Sequence, residues 1–522
     1  IVTPLYGPPE IDSYFIPAVP IFRQSATTPV RICLDARVLN HYIEPISIRG
    51  RASGSLWFFL LSWRTCRFYQ VCDLRQAFLR VHLDGDDQPF ASSIICSRSV
   101  RYLRLPFGLN FSPYALHSVM MWHRSQWELE VGTHAGARAQ PRPLPFNDTA
   151  TFGPVSSTEL GPEVPHKLDI VLYVDDYCLR GDTFEEVIGQ HEYTSWRLRR
   201  HGADCTDEKV FNNATPSPAG NYRGVLGYST DTGVDTICFR YPDPLPESLP
   251  VRITRRQAVS LINRYYDPLS VFMEGSAASR FILANINQTT ADWEALCNPD
   301  DTKALYDWLS AVNDQQPVSR FVDLTENLNV FCDASQLAFC VDMRGCGPSY
   351  VRLCGRYGLF PPAQRTGHTI VQKELCSLHL ALQLLAEVDL VLREHAPRPA
   401  TYTVYTDSEI NLHRLRQDPA KDDKLGRYER RRLRLIRAEV ARLTASGTPV
   451  TVRHISGSCN PSDACTRPPS AGNVLQPTDA SVIHKGVLLS SDSFVYKAPP
   501  EGLVGPHQVN LVQTDDGVFD DF

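Results

Sequence analysis

The chain has 522 residues, 43% hydrophobic and 21% charged, a globular composition with length enough for several domains with substantial cores. Its net charge of −6 weighs against a protein that binds nucleic acid through an evenly basic surface. Fifteen cysteines without a Cys-x-x-Cys pair exclude a zinc ribbon or a disulfide scaffold and fit reduced thiols. No secretory signal is visible, the most apolar short run, Leu56 to Leu61, is far below the length of a membrane helix, and the 39 prolines predict long connections.

In chain order, the first strand-like run to close on an acid is Phe68-Tyr69-Gln70-Val71-Cys72-Asp73. It is followed by Leu74-Arg75-Gln76-Ala77-Phe78 and by Leu105-Pro106-Phe107-Gly108-Leu109-Asn110-Phe111-Ser112-Pro113. From Met121 to His166 the Pro, Gly and Thr content predicts an irregular insertion. Next comes Leu168 to Asp176, an apolar run that ends in two adjacent carboxylates, Asp175 and Asp176. Two like charges roughly 4 Å apart repel by about 4 kcal/mol at an effective dielectric near 20, so such a pair needs protons, a basic partner or a divalent metal. The next cationic residue is Arg180. The same residues also read as a hairpin turn, since Asp favours turns and the apolar residues on both sides can pair as strands.

A second acidic set follows. Leu328 to Ser335 reads as a strand closing on Asp333, and Thr401 to Ser408 as one closing on Asp407, with Ser408 opening a helix. Between them, Glu374 lies off the apolar face of a helical pattern in which Leu375, Leu378, Leu382 and Leu385 recur. Arg427, Arg430, Arg431, Arg432, Arg434 and Arg437 form a basic run on a predicted helix whose Leu433, Ile436 and Val440 face the core; its charged face is either solvated or binds nucleic acid. The alternating run Val450 to Ile455 carries His454 as a structural residue and leads to Asn460-Pro461-Ser462-Asp463. Helix capping accounts for Asp407 or Asp463 singly, but not for Glu374 together with all three spacings. From about Pro468 to Phe522 the pattern thins into Ser, Pro, Gly and Asp, as in a linker or a tail that orders only with a partner.

The first blocks, with Arg31 to Asn40 before them and His201-Gly202, Lys209 and Val225-Leu226-Gly227 after, resemble in order the palm of a reverse transcriptase. Asp333, Glu374, Asp407 and Asp463 resemble the ribonuclease H active site. Arg255 to Ser260, Tyr266-Asp267-Pro268-Leu269, Ala291 to Glu294, Thr406-Asp407-Ser408 and the Asn-Pro-x-Asp at 460 to 463 are similar to BEL/Pao-type long-terminal-repeat retrotransposon polyproteins. Ser270 stands where that family usually has Gly, so the connection is expected to turn differently there.

The resemblance, from about residue 20 to 468, implies an α/β (α+β) fold class. Right-hand polymerase fingers and palm would occupy 1–235 with the insertion at about 121–166, a thumb/connection 236–325, a ribonuclease H-like mixed-sheet domain 326–468, and a linker or disordered tail 469–522. It implies an RNA-directed DNA polymerase, a nucleotidyltransferase, with ribonuclease H endonuclease activity. Asp73, Asp175 and Asp176 would hold the polymerase metals, and Asp333, Glu374, Asp407 and Asp463 those of the nuclease. Arg31 would contact the incoming triphosphate, and Phe78 would lie beneath the sugar and exclude a 2′-hydroxyl. Phe107 and Gly108 would line the same pocket, and Lys209 would neutralise or protonate departing pyrophosphate. The implied cofactor is Mg²⁺, two per site, with Mn²⁺ as a substitute. The implied partners are template RNA, primer, RNA/DNA hybrid, deoxynucleoside triphosphates and other modules of the same polyprotein, in the cytoplasm or in virus-like particles and without a membrane. Ile1 in place of Met suggests a piece of a polyprotein with incomplete fingers. A decayed or domesticated element that binds nucleic acid without catalysis is the rival reading. An RNA-dependent RNA polymerase shares the palm logic but leaves Phe78 and the second acidic set unexplained.

Overall fold

The runs that end on acids form paired strands, as a computed structural model of the chain shows. It describes residues 2–4, 15–22, 30–43, 55–140, 160–215, 218–239, 252–347, 349–395, 398–469, 477–490 and 493–495. The N-terminal part supplies β1 (Val2–Pro4), the antiparallel pair β2 (Ala18–Phe22) and β3 (Val30–Leu34), then α1 (Arg37–Tyr42), α2 (Leu56–Thr65) and β4 (Phe68–Asp73). β5 (Ser92–Ile95) and β6 (Arg98–Tyr102) pair with each other and with β1. After α3 (Ser112–His134) come β7 (Ile170–Tyr173), β8 (Asp176–Gly181), α4 (Phe184–Arg200) and β9 (Phe211–Asn212), and the strands assemble in the order β7-β8-β4-β9.

This sheet is apolar on both faces, which is why its strands read as continuous hydrophobic runs. Successive side chains leave a strand in opposite directions. Tyr69, Val71, Val171 and Cys178 therefore join the core that contains Phe58, Phe59 and Trp63 of α2. Cys72, Ile170, Leu172, Tyr177 and Leu179 join Leu116, Met120 and Trp127 of α3 and Val187 and Tyr193 of α4.

The middle of the chain forms β10 (Tyr222–Val225), β11 (Tyr228–Asp231), β12 (Thr236–Cys238), α5 (Arg255–Asn263), α6 (Met273–Thr289), α7 (Pro299–Asn313) and β13 (Val318–Ser319). Its sheet, β10-β11-β12-β13, crosses the boundary expected at residue 235. Thr254 and Gln257 close a capping box on α5, and Asn298 caps α7. Ser270 adopts the left-handed conformation, φ +57°, which glycine takes without strain and a residue with a side chain adopts less readily.

The last part contains β14 (Asn327–Ala334), β15 (Ala338–Arg344), β16 (Arg352–Leu359), α8 (Pro362–Gly367), α9 (Ile370–His395), β17 (Thr401–Thr406), α10 (Glu409–Arg416), α11 (Arg427–Ala445), β18 (Val450–His454), α12 (Ala480–Leu489) and β19 (Ser493–Val495). The sheet runs β16-β15-β14-β17-β18-β19, with β14, β17 and β18 parallel and the other pairs antiparallel. α9 is long and apolar enough to cross a membrane by length and composition, but most of it is buried inside the protein. It packs on β14 and β15 and touches α11 and α2. The expectation of a single apolar face is thus too narrow, because Leu380, Ala381 and Leu384 are buried as well as the predicted leucines.

Two further expectations are corrected. The first part of the stretch expected to be irregular is helix: α3 extends to His134, with Leu116, Met120, Trp127 and Val131 buried at helical spacing. Residues 136–139 then pair with 161–164, through Gly136 N to Val164 O at 2.9 Å and Ala139 N to Pro162 O at 2.9 Å; residues 141–159 lie outside the described residues. The supposed tail adds α12, capped by Asp479, and a sixth strand, β19, on the edge of the sheet. Ile483 of α12 buries itself among Phe331, Tyr405, Ile455 and Cys459, an apolar seat that exists only once the sheet has formed. Residues 496–522 lie outside the described residues.

One core runs from Phe58 of α2 to Val452 of β18, and buried arginines lock its parts together. Arg64 of α2 donates to the carbonyls of Ser319, Arg320 and Leu353. Arg320 donates to the carbonyls of Trp63, Cys66 and Arg67 and pairs with Asp235. Arg352 of β16 bridges Glu274 of α6 and Asp342 of β15, at 2.7 and 2.8 Å. Burial opposes the Asp342 charge, but the guanidiniums of Arg344 and Arg352 outweigh it and hold the carboxyl at about 2.

Candidate functional site

In the palm sheet the register of β4 on β8 sets Asp73 opposite Asp176. β7 and β8 are joined by the two residues Val174 and Asp175, so the hairpin reading and the acidic reading of this segment describe one object. Val174 is left-handed, φ +53°, an uncommon conformation for a β-branched residue and one that the paired strands enforce. Leu74 N donates to Asp175 O at 2.9 Å and ties the turn to the end of β4. All three acids therefore meet at one end of the sheet. Lys209 Nζ lies 2.8 Å from Asp73 Oδ2, and Thr206 Oγ1 donates to Asp73 Oδ1 at 3.2 Å. Burial, reinforced by the charges of Asp175 and Asp73, pushes the Asp176 carboxyl up to about 7, with Lys209 a smaller opposing influence.

Phe78 lies buried on a short 3-10 turn, Ala77–Arg80, entered through left-handed Gln76. Its ring meets that of Phe107 edge-on at 4.8 Å. Gly108 has φ +106°, and a Cβ there would come within 2.7 Å of Leu34 O, so glycine is required where this loop passes the end of β3. Asn40 Nδ2 donates to Gly108 O at 2.8 Å and its Oδ1 accepts from Asn110 N at 2.9 Å, a clasp within the sequence blocks that was not singled out beforehand. Arg31 stands on β3 opposite Ile21, and its side chain lies outside the description.

The second set of acids comes from four elements. Asp333 is on β14, and the parallel register Cys332 to Thr406 brings Asp407, just past the end of β17, alongside. Glu374 projects from α9, and Asp463 opens the 3-10 turn Asp463–Cys465. Hydroxyls hold these carboxylates: Thr466 Oγ1 donates to Asp333 Oδ2 and Ser408 Oγ to Glu374 Oε2, both at 2.6 Å. Ser377 Oγ donates to Asp333 O, and Asn460 Nδ2 to Cys332 O, fixing the strand end. Arg467 donates to Asp463 Oδ1 at 2.6 Å. Burial, then the charges of Asp333 and Glu374, push Asp407 up to about 7. Glu374 is likewise raised by burial, with Asp333 adding to it against the Ser408 hydrogen bond. The four acids thus form a second convergent group. Of their supporting residues only Ser408 carried a local signal, its helix-opening position.

His454 pairs in register with Thr406 and stays on its strand, with Nε2 3.9 Å from Glu409 Oε1. The arginine run forms α11 with Leu433, Ile436 and Val440 buried. Several of its charges are used internally: Arg437 pairs with Asp422, Arg430 with Asp423, and Arg432 bonds His379 Nδ1 and lies over the Tyr428 ring.

Among the described residues, no three His, Cys, Asp or Glu groups stand so that they could hold a metal ion as placed. Lys209, Thr206, Thr466, Ser408 and Arg467 engage carboxylate oxygens in the two groups. The donor chemistry nevertheless fits a hard divalent cation, since both groups are wholly of carboxylates, and burial, with the neighbouring carboxylates adding to it, raises Asp176 and Asp407.

A sheet ending in three acids, followed by a mixed sheet with an acidic group on strands, helix and turn, defines the class: a reverse transcriptase fold joined to a ribonuclease H-like domain. More particularly, residues 254–408 match the family model of the Pao retrotransposon-like RNaseH-like domain, a span that includes Asp333, Glu374 and Asp407. No curated protein matches the chain in sequence. Among solved structures, it is similar to the foamy viral protease-reverse transcriptase dRH in complex with double-stranded DNA, with TM-score 0.54 and 16% identity over 84% of this chain and 65% of that one. The foamy viral protease-reverse transcriptase in complex with RNA/DNA hybrid gives 0.52 and 15%, over 89% and 52%. The same protein in complex with double-stranded DNA gives 0.53 and 16%, over 85% and 78%. The chain thus spans less than two thirds of the first two, and the likeness is one of fold.

Proposed function

We propose that the chain copies template RNA, and then DNA, into DNA and hydrolyses the RNA of the resulting hybrid, in the replication of a retroelement. The observation that carries this is the convergence of Asp73, Asp175 and Asp176 at one sheet end, with a second acidic group on a separate sheet. Bound Mg²⁺, two ions per site, would supply Lewis-acid alignment of attacking and leaving oxygens. Asp73, Asp175 and Asp176 would hold the ions of the polymerase site. Lys209, released from Asp73, would carry its charge to the departing pyrophosphate. Asp333, Glu374, Asp407 and Asp463 would do the equivalent for hydrolysis. Arg31 would bind the triphosphate. The Phe78 ring, braced by Phe107 over Gly108, would close the space a 2′-hydroxyl needs, so Phe78→Ala should admit ribonucleotides in primer extension. The foamy viral structures with double-stranded DNA and with RNA/DNA hybrid support nucleic acid of this kind as the partner. The fifteen cysteines, all free thiols, suit a reducing cytoplasm, inside virus-like particles or outside them.

The test is extension of a primed RNA template with deoxynucleotides, followed by digestion of the RNA. A second reading, nucleic-acid binding without catalysis, draws on the fact that Lys209 and Arg467 already neutralise one acid in each site. Wild-type protein that binds primed template but neither extends nor cleaves would select it.

A further inference from the structure

Asp333 and Asp407 of the second acidic group stand at strand ends, where the parallel register of β14 and β17 places them. Glu374 stands on α9, so its place depends on the depth and rotation at which that helix meets the sheet. The three residues ahead of it are each tied to a different neighbour. Val371 O accepts from Asn411 Nδ2 of α10 at 3.0 Å, and Gln372 Nε2 donates to Glu429 Oε1 of α11 at 3.0 Å. Lys373 is wholly buried. Its ammonium donates to Gln336 O at 3.0 Å, Gln336 Oε1 at 2.5 Å and Arg365 O at 2.8 Å, and stands 5.8 Å from the centre of the Phe360 ring.

A lysine with no exposed surface ordinarily has a carboxylate partner, because taking a charge out of water is costly unless an opposite charge offsets it. Here the three donors go to uncharged oxygens. A methionine of similar length would fill the same space without a charge, so what the ammonium adds is direction. It joins the first turn of α9 to the turn between β14 and β15 and to α8. Gln336 follows Asp333 by three residues, and the same turn is held from its other side. Ser335 Oγ donates to Thr466 O at 2.6 Å and accepts from Leu337 N and Ala338 N at 3.0 and 3.1 Å. Residues 335–337 are therefore a hub: the chain joins it to Asp333, Ser335 joins it to the segment that carries Asp463, and Lys373 joins it to the helix that carries Glu374.

Resting on the function proposed above, we propose that Lys373 is a positioning residue for hybrid hydrolysis: it clamps the first turn of α9 to the β14–β15 turn and so sets the depth at which Glu374 joins Asp333 and Asp407. The test uses the full chain with Lys373→Met, which keeps the length of the side chain and removes its charge and donors. A second variant, Gln336→Leu, removes one acceptor from an exposed turn residue and decides alone should the first not fold. Because Lys373→Met relieves a buried charge, its melting temperature is expected to equal or exceed that of the wild type. Its kcat for hybrid cleavage is nevertheless expected to fall about tenfold, with the hybrid KM and primer extension within about twofold. Gln336→Leu leaves two of the three bonds and is expected to lower the same kcat about threefold. A kcat unchanged in both variants, or equal losses of extension and cleavage, overturns the proposal. Hydrogen exchange of the Leu337 and Ala338 amides reads the clamp without turnover or metal. It is expected to be about tenfold faster in Lys373→Met than in the wild type, and unchanged exchange overturns the clamp. A wild-type chain that cleaves no hybrid, while Lys373→Met still speeds exchange, would instead break the functional reading and leave the clamp standing.

Discussion

The two acidic groups are assembled by opposite means. The acids of the first sheet need only one strand pairing and one two-residue turn, because Asp175 and Asp176 are adjacent in sequence and the β4–β8 register delivers Asp73. The acids of the mixed sheet come from two strand ends, a helix and a 3-10 turn over more than a hundred residues, and hydroxyls of Thr466 and Ser408 hold two of them. The first group should survive as long as the palm sheet does. The second depends on how α9 and the chain after β18 pack onto the mixed sheet.

The largest expected effect tests whether the groups are separate. Asp175→Asn should reduce extension to background while sparing hybrid cleavage, and Glu374→Gln should do the reverse; loss of both activities from either change, in folded protein, would contradict two sites. Breaking what they share should have a different signature. Arg352→Ala leaves Glu274 and Asp342 buried without their guanidinium and should cost about 3–5 kcal/mol in urea denaturation, with both activities falling together. A smaller effect sharpens the contrast in assembly. Thr466→Val removes the hydroxyl on Asp333 and should raise the Mg²⁺ concentration needed for hybrid cleavage about tenfold, with extension unaffected.

The smallest effect should be common to both groups. Asp176 and Asp407 titrate near 7 in the folded chain against 3.8 ordinarily, so between these values the folded state holds protons that the unfolded state has released. Their contribution to metal-free stability is therefore fully present below about 3.8 and is lost as pH rises through 7. Mg²⁺ should raise the melting temperature more at pH 8 than at pH 5.5, and Asp176→Asn should remove part of the difference. A melting temperature indifferent to Mg²⁺ at pH 8 would mean that the carboxylates do not form metal cradles.

Much of the site was legible residue by residue where chemistry and local pattern coincide. Asp73, Asp333 and Asp407 close apolar runs of strand length, and Glu374 sits off a helical leucine pattern, so each acid could be placed on its element before any contact was known. Asn40, Thr206 and Thr466 could not be singled out in the same way, since a lone Asn or Thr acquires meaning only from the carbonyl or carboxylate that packing brings to it. The continuation of α3 was masked by the Pro-rich chain after it, and α12 and β19 by their shortness.

What the amino-acid order determined by itself is therefore the strands and the helix that carry the acids, with their acidic ends, because periodicity and the repulsion of neighbouring carboxylates act over a few residues. Tertiary structure alone decided that β19 completes the nuclease sheet, that Arg64, Arg320 and Arg352 weld palm, connection and nuclease into one core, and that Lys373 reaches Gln336. Those are pairings between residues tens to hundreds of positions apart, and a buried charge or an edge strand finds its partner only when the rest of the chain has folded around it.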